Sequence, residues 1–97
     1  MIAEMEEEAV HQAADMFSML GNKTRLNILL LLADGEQCVH DIADALDAEL
    51  SNISHHLRKM RDNELVTYRK EGRHKYYTLA DDHVVKIITA GADHAEE

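Results

Sequence analysis

The chain has 97 residues, of which 45% are hydrophobic, and its formal net charge is −9. We expect one small domain over residues 1–97, with a thin core of the kind that a partner subunit or a metal ion often stabilises. No apolar run reaches the roughly 18 residues of a membrane span, and a single cysteine excludes an internal disulfide.

Four helices are predicted before residue 66. Apolar residues at helical spacing predict the first over 6–21, with glutamates at its start. The second, 23–35, is almost wholly apolar, which indicates a buried element. Residues 39–47 and 50–65 predict two more helices with one apolar face each. The residues expected to face inward are Val39, Ile42, Ala43, Leu46, Ile53, Leu57 and Met60.

The pattern changes after the fourth helix. Residues 65–80 alternate, are rich in β-branched and aromatic side chains, and contain Glu71-Gly72 in the middle, which predicts a β-hairpin. Residues 82–97 predict a last helix. The expected fold is mainly α with a β-hairpin, in the order α-α-α-α-β-β-α.

The basic residues are concentrated in one stretch. Between Arg58 and Lys75 lie seven of the ten basic residues and only three acids, so this stretch carries +4 and the remainder −13. A basic patch on an acidic body is typical of a protein that meets phosphate on one face. The alternative is an ordinary solvated hairpin.

Two short helices followed by a basic hairpin form a winged helix-turn-helix. The fourth helix would enter the major groove of double-stranded DNA, with the hairpin, or wing, beside the phosphate backbone. The candidate DNA contacts are Ser51, Asn52, Ser54, His55 and Arg58 on the helix and Arg69, Lys70, Arg73 and Lys75 on the wing. The alternative for the stretch SNISHHL is a plain amphipathic helix.

Several segments resemble the ArsR/SmtB family of bacterial metal-responsive repressors, and especially its zinc-sensing SmtB/CzrA branch. They are TRLNILLLLADGEQCVHDIADAL, SHHLRKMRDNELVTYRKEGRHKYY and the terminal DDHVVKI…DHAEE, and the similarity runs from Ala14 to Glu97. The resemblance implies a homodimer that binds an inverted-repeat operator and releases it when metal binds. It also implies that the first and last helices form the dimer contact.

The sequence departs from the family pattern at three places. Asn22-Lys23 replace a common proline-containing start of the second helix, and Asp47 stands where the turn usually has glycine. Leu50 replaces a polar residue at a base-contacting position, which bears on the operator sequence, because leucine can touch a thymine methyl group.

The last helix carries the pattern Asp81-x-His83, ten residues, then His94-x-x-Glu97. His83 and His94 are eleven residues apart, close to three turns, so they share a face but are separated by about 16 Å. Zinc ligands lie only about 2 Å from their ion, so one helix cannot close the site. Two antiparallel helices can, if the Asp81–His83 pair of one chain meets the His94–Glu97 pair of the other.

Two imidazoles and two carboxylates suit Zn(II), and Co(II) or another divalent ion would fit similarly. The pattern also matches the family's terminal-helix site at all four positions. Asp81 must lie at or before the helix N-cap, although Asp82 could take its role. The fourth ligand is either the Glu97 side chain or its terminal carboxylate. The alternative is a set of unrelated surface residues.

A second candidate metal site of the family corresponds to Cys38 and Asp41, with His40 between them. The family's N-terminal ligands for this site are missing here apart from His11, so we expect it to be incomplete. Cys38 is then a small, half-buried residue.

We therefore expect a homodimeric, Zn(II)-sensing repressor rather than an enzyme, because no nucleophile–base pair or phosphate loop is visible. The start MIAEMEEEAV lacks a signal peptide's basic flank, which predicts a cytoplasmic protein without membrane partners or a small-molecule substrate. The resemblance implies that His94 signals through a hydrogen bond to the Glu64 carbonyl. The alternatives are a dimer held by structural zinc without sensing, or a regulator that senses another signal.

Overall fold

The elements of the chain follow one another largely in the predicted order. The computed structural model describes residues 5–97, so the first four residues of the predicted domain lie outside it. The elements are α1 (Glu7–Leu20), α2 (Lys23–Ala33), β1 (Gln37–Cys38), α3 (Val39–Ala45), α4 (Leu50–Asp62), β2 (Val66–Glu71), β3 (His74–Leu79) and α5 (Asp82–Glu96). The four helices, the hairpin and the last helix are confirmed.

The sheet contains one strand that the sequence did not predict. β1 pairs antiparallel with β3, opposite Tyr76 and Tyr77, and so makes a three-stranded sheet of order β1-β3-β2. A two-residue strand is too short to show alternation, and its partner lies almost forty residues away in sequence. This strand joins the segment before α3 to the wing.

The core lies between α2, α3, α4 and the wing. Its fully buried side chains are Ile28, Leu29, Ile42, Ile53, Leu57, Met60 and Leu65. Ile53, Leu57 and Met60 repeat at helical spacing along α4, and this anchored face turns the polar face of the helix outward.

The first helix lies on the outside of this core. None of its residues is buried, and Phe17 keeps 56% of its surface exposed. An apolar cleft between α1 and α5 is lined by Phe17, Leu20, Leu26, Ile87, Ile88 and Ala92. Among residues 5–97, no helix is long and apolar enough to cross a lipid bilayer.

Two turns require a left-handed backbone at residues other than glycine. Asp47, between α3 and α4, has φ of 50°, and Glu64, between α4 and β2, has φ of 60°. Aspartate tolerates this region better than most residues, because its short side chain hydrogen-bonds locally. Asp47, which stands where the resembling family usually has glycine, therefore adopts a left-handed conformation that glycine takes readily.

Candidate functional site: a nucleic-acid interface and a divided metal centre

The outer face of α4 presents the predicted base-contacting residues. Ser51, Asn52, His55 and Arg58 are exposed and Ser54 is partly buried, on the side away from the core. Leu50, the first residue of the helix, is 41% exposed. The face therefore combines short hydrogen-bonding groups, one cation and one apolar contact, which suits the edges of bases.

The wing presents its cations unequally. Lys70 and Arg73 are exposed and Lys75 is partly buried. Arg69 donates two hydrogen bonds to the Glu36 carboxylate, at 2.9 and 2.8 Å, and another to Glu71. Its guanidinium also lies 4.8 Å from the centre of the Tyr76 ring. These hydrogen bonds raise the pKa of Arg69 and lower that of Glu36, so Arg69 braces the wing against the segment before β1.

A basic cleft between α4 and the wing includes Arg61, which is not among the DNA contacts predicted from the sequence. It is lined by Val39, Ser54, Arg58, Arg61, Lys75 and Tyr77. Arg61 also donates a 3.1 Å hydrogen bond to the hydroxyl of Tyr68. Ser54, Arg58 and Arg61 are spaced by four and then three residues, which places them on one side of a helix. This spacing could have identified Arg61 as a candidate contact from the sequence.

The other histidines of this region take up structural positions. The rings of His40 and His74 meet edge to face with centroids 5.9 Å apart, which joins α3 to the wing. His56 is partly buried, and its Nδ1 atom is buried without a partner among the described residues. Burial, with the nearby charges of Arg25 and Lys59, lowers the pKa of His56.

The two residues of the predicted front pair lie close together at the start of α5. Asp81 is the N-cap, as predicted, and its Oδ1 atom accepts hydrogen bonds from the backbone N–H groups of His83 (2.8 Å) and Val84 (3.2 Å). The same oxygen lies 3.5 Å from Nδ1 of His83, whose side chain is 89% exposed. Two ligand atoms on one tetrahedral zinc ion lie about 3.4 Å apart, so the pair fits half of such a site.

The back pair lies at the other end of the same unbroken helix. The N–H of Glu97 donates to the carbonyl of His94 at 3.3 Å, so the chain still turns at its last described residue. Both residues are exposed. Within residues 5–97 of one chain, no three His, Cys, Asp or Glu side chains converge in a group that could hold a metal ion.

The second candidate metal site is likewise not assembled within the described chain. Cys38 is 7% exposed, more buried than predicted, and belongs to β1. His40 and Asp41 follow on α3 as exposed residues, and His40 turns to His74. The buried thiol thus serves the sheet and core beneath the wing.

These features define a class of protein. Two consecutive helices, α3 and α4, that pack on the core by one face each, with a basic antiparallel hairpin beside α4, form a winged helix-turn-helix, the fold of DNA-binding regulators. The family model "Bacterial regulatory protein, arsR family" matches residues 22–68, from the N-cap of α2 into the wing.

Relatives and solved structures agree with this class. A transcriptional repressor SmtB homolog from Synechocystis is 42% identical, over 96% of this chain and 70% of that protein. A cadmium resistance regulator CadC homolog from Staphylococcus aureus is 36% identical, over 87% of this chain and 70% of that protein. A homodimeric winged helix-turn-helix domain from Mycobacterium bovis superposes with a TM-score of 0.87 at 33% identity, covering 98% of this chain and 91% of that one.

The chain therefore belongs to the ArsR/SmtB family of metal-responsive transcriptional repressors. It is a DNA-binding regulator and not an enzyme.

Proposed function

We propose that this protein is a cytoplasmic, homodimeric repressor that binds an inverted-repeat operator and releases it when Zn(II) binds at the ends of α5. The observation that carries the proposal is the Asp81–His83 pair, whose oxygen and nitrogen lie 3.5 Å apart on the exposed start of the helix. This pair supplies two ligands of compatible chemistry and leaves the other two to come from elsewhere.

The partner's His94 and Glu97 are the proposed source of the remaining ligands. In one chain, the continuous helix holds the two pairs about 16 Å apart. The exposed Phe17 and the apolar cleft between α1 and α5 support an interface that would bring two copies of α5 together. A twofold axis would then create two equivalent sites.

The proposed DNA surface is the outer face of α4 with Lys70, Arg73 and Lys75 of the wing. In a dimer, two copies of α4 would enter successive major grooves, so their separation must match the helical repeat of DNA. Metal binding at α5 would favour a dimer in which that separation no longer fits. By linkage, zinc lowers DNA affinity by the same factor by which DNA lowers zinc affinity.

The proposed route from the metal to α4 begins at His94. Its outer imidazole N–H would donate to the Glu64 carbonyl in the turn that follows α4, as second-shell bonds commonly orient metal-bound histidines. The left-handed backbone of Glu64 makes this turn a defined feature rather than a variable loop.

Operator binding measured by fluorescence anisotropy, with and without zinc, tests the proposal. We expect zinc to weaken binding by about 5- to 150-fold, corresponding to a coupling free energy of about 1–3 kcal/mol. Unchanged affinity despite bound zinc would favour the alternative of a dimer held by structural zinc. Release by a signal other than metal would favour the second alternative.

Two pairs of neighbouring acids provide matched controls for the site. Asp81→Asn should abolish the zinc response, yet keep the helix cap, because asparagine caps as well as aspartate. Asp82→Asn should leave the response intact. Glu97→Gln should weaken zinc binding, and Glu96→Gln should not. Equal effects within either pair would contradict this choice of ligands.

A further inference from the structure

The basic cleft between α4 and the wing is positively charged, which favours an anionic ligand. Arg58, Arg61 and Lys75 line it together with the hydroxyl-bearing Ser54 and Tyr77. No carboxylate lines it among residues 5–97. The Asp62 carboxylate lies 3.6 Å from the Arg61 guanidinium, and 64% of the Asp62 side chain is exposed to solvent. Three cations from two elements thus line the cleft, and among the described residues only Arg61 pairs with an acid, which does not itself line the cleft.

Tyr68 holds two of these cations in place. The Arg61 guanidinium carbon lies 5.3 Å from the centre of the Tyr68 ring, and Lys75 Nζ lies 4.8 Å from it. The Tyr68 hydroxyl also accepts the hydrogen bond from Arg61. Cation–π contacts and a hydrogen bond restrict two long side chains that would otherwise lose entropy on binding a ligand. The cleft is therefore organised before any ligand arrives.

The pKa of Tyr77, which also lines the cleft, is affected by the same arginines. Tyr77 is buried, and burial raises the pKa of its hydroxyl, while Arg61 and Arg58 act in the opposite direction. The ring of Tyr68 packs against that of Tyr77 with centroids 5.2 Å apart. The two tyrosines thus couple the position of Arg61 to the core of the wing.

We propose that this cleft is a phosphate-binding site, in which Arg58, Arg61 and Lys75 bind the anion and Tyr68 acts as a positioning residue. The forked guanidinium donors of two arginines match the oxygens of a phosphate, and Ser54 adds a hydroxyl donor. The favoured source is one phosphodiester of the DNA backbone, because Ser54 and Arg58 lie on α4. This identification rests on the proposed DNA binding.

The comparison with Arg69 supports this choice of cations. Arg69 belongs to the same basic stretch, but Glu36 and Glu71 already neutralise it. Among the described residues, Arg58 and Lys75 have no carboxylate partner, and Arg61 has only the more weakly held Asp62 at 3.6 Å, so their field is more available to a ligand than that of Arg69. Arg61, although outside the sequence-predicted set, is thus a stronger candidate for a phosphate contact than Arg69.

The salt dependence of DNA binding tests the site. Arg61→Gln should lower the slope of log affinity against log salt by about one and weaken binding by about tenfold, equally for operator and unrelated duplexes. Lys59→Gln is the matched control, because Lys59 is also a basic residue in the last turn of α4 but does not line the cleft. It should leave the slope near its wild-type value.

Two further variants separate charge from position. Arg61→Lys keeps the charge and should retain most of the slope. Tyr68→Phe keeps the ring but removes the hydroxyl that accepts from Arg61, and should give an intermediate loss. Thermal unfolding of every variant, followed by circular dichroism, checks that the fold is intact. All measurements use the full chain without metal, so a failure of zinc sensing does not affect them.

Inorganic phosphate titrated into the DNA-free protein distinguishes the two sources of the anion. Phosphate-dependent NMR shifts of the Arg58 and Arg61 side chains, lost in Arg61→Gln, would assign the cleft to free phosphate if DNA binding were unaffected. The slope change without such shifts would assign it to the DNA backbone. If neither occurs, or if Lys59→Gln and Arg61→Gln behave alike, the proposal is overturned. A protein that bound no DNA would overturn the proposed function, while the phosphate titration would still decide the cleft.

Discussion

The α4–wing region and α5 solve the problem of binding a charged partner in different ways. In the first, cations from a helix and a strand of one chain converge on one cleft. In the second, the candidate metal-ligand pairs lie at opposite ends of one helix, and Asp81 and His83 of the front pair lie close together. The difference teaches that the proposed phosphate site needs only the fold of a single chain, whereas the proposed metal site needs a second chain to be complete.

Mixing two inactive variants gives the sharpest test of this difference. His83→Ala lacks the front pair and His94→Ala the back pair, so neither homodimer should bind zinc at α5. After unfolding and refolding together, half of the dimers are mixed and each has one intact site, about a quarter of the wild-type capacity. Equilibrium dialysis measures this recovery. No recovery in dimers shown to be mixed would mean that each site belongs to one chain.

Substitutions in the turn before α4 test how much the left-handed backbone at Asp47 contributes to the stability of the α4–wing region. Asp47 has φ of 50°, which a β-branched residue adopts only with strain. Asp47→Val should lower the free energy of unfolding by about 1–2 kcal/mol, measured by urea denaturation. Asp47→Asn is the control and should change it little, because asparagine tolerates the same conformation. Equal stability of both variants would contradict the strain.

Removing a carboxylate partner of Arg69 should make this cation more available to DNA, as the cations of the cleft are. Glu36→Gln removes one of the two carboxylates that neutralise Arg69, so the wing gains one unit of positive charge while Arg69 keeps its contact with Glu71. We expect a few-fold gain in affinity for unrelated DNA and a salt slope steeper by up to about one. Asp34→Asn, a nearby exposed acid without this contact, should have a smaller effect. A loss of affinity in Glu36→Gln would show that bracing matters more than charge.

The smallest effect concerns His56, which lies on the inner side of α4. Its pKa is lowered in the folded protein, chiefly by burial, so the unfolded chain binds more protons as pH falls through the ordinary histidine range near 6.5. Its contribution to stability is present above that range and is lost as pH falls towards the lower folded pKa. Urea unfolding at pH 7.5 and 5.5 should show a smaller pH difference for His56→Gln than for wild type. An unchanged difference would contradict this role.

Much of the fold could be predicted from the sequence, because the helices and the hairpin have long, regular apolar patterns. The cap role of Asp81 was also predictable, since helix geometry allowed it no other position beside His83. The strand β1 was not, because two residues show no periodicity. The neutralisation of Arg69 by Glu36 was hidden for a similar reason, since 33 residues separate the partners. Side-chain pairs that the fold brings together across the sheet leave no trace in local spacing.

The short strand β1 has a consequence for how a signal travels. It ties the segment before α3 to the middle of the wing, and the Glu36–Arg69 ion pair closes the same seam on its outer side. The helix-turn-helix and the wing are therefore joined into one rigid unit. We expect that release from DNA does not depend on bending within this unit. We expect each unit to move as a rigid body in the proposed dimer. Metal binding would then change the distance and angle between the two units, and not the structure within either one.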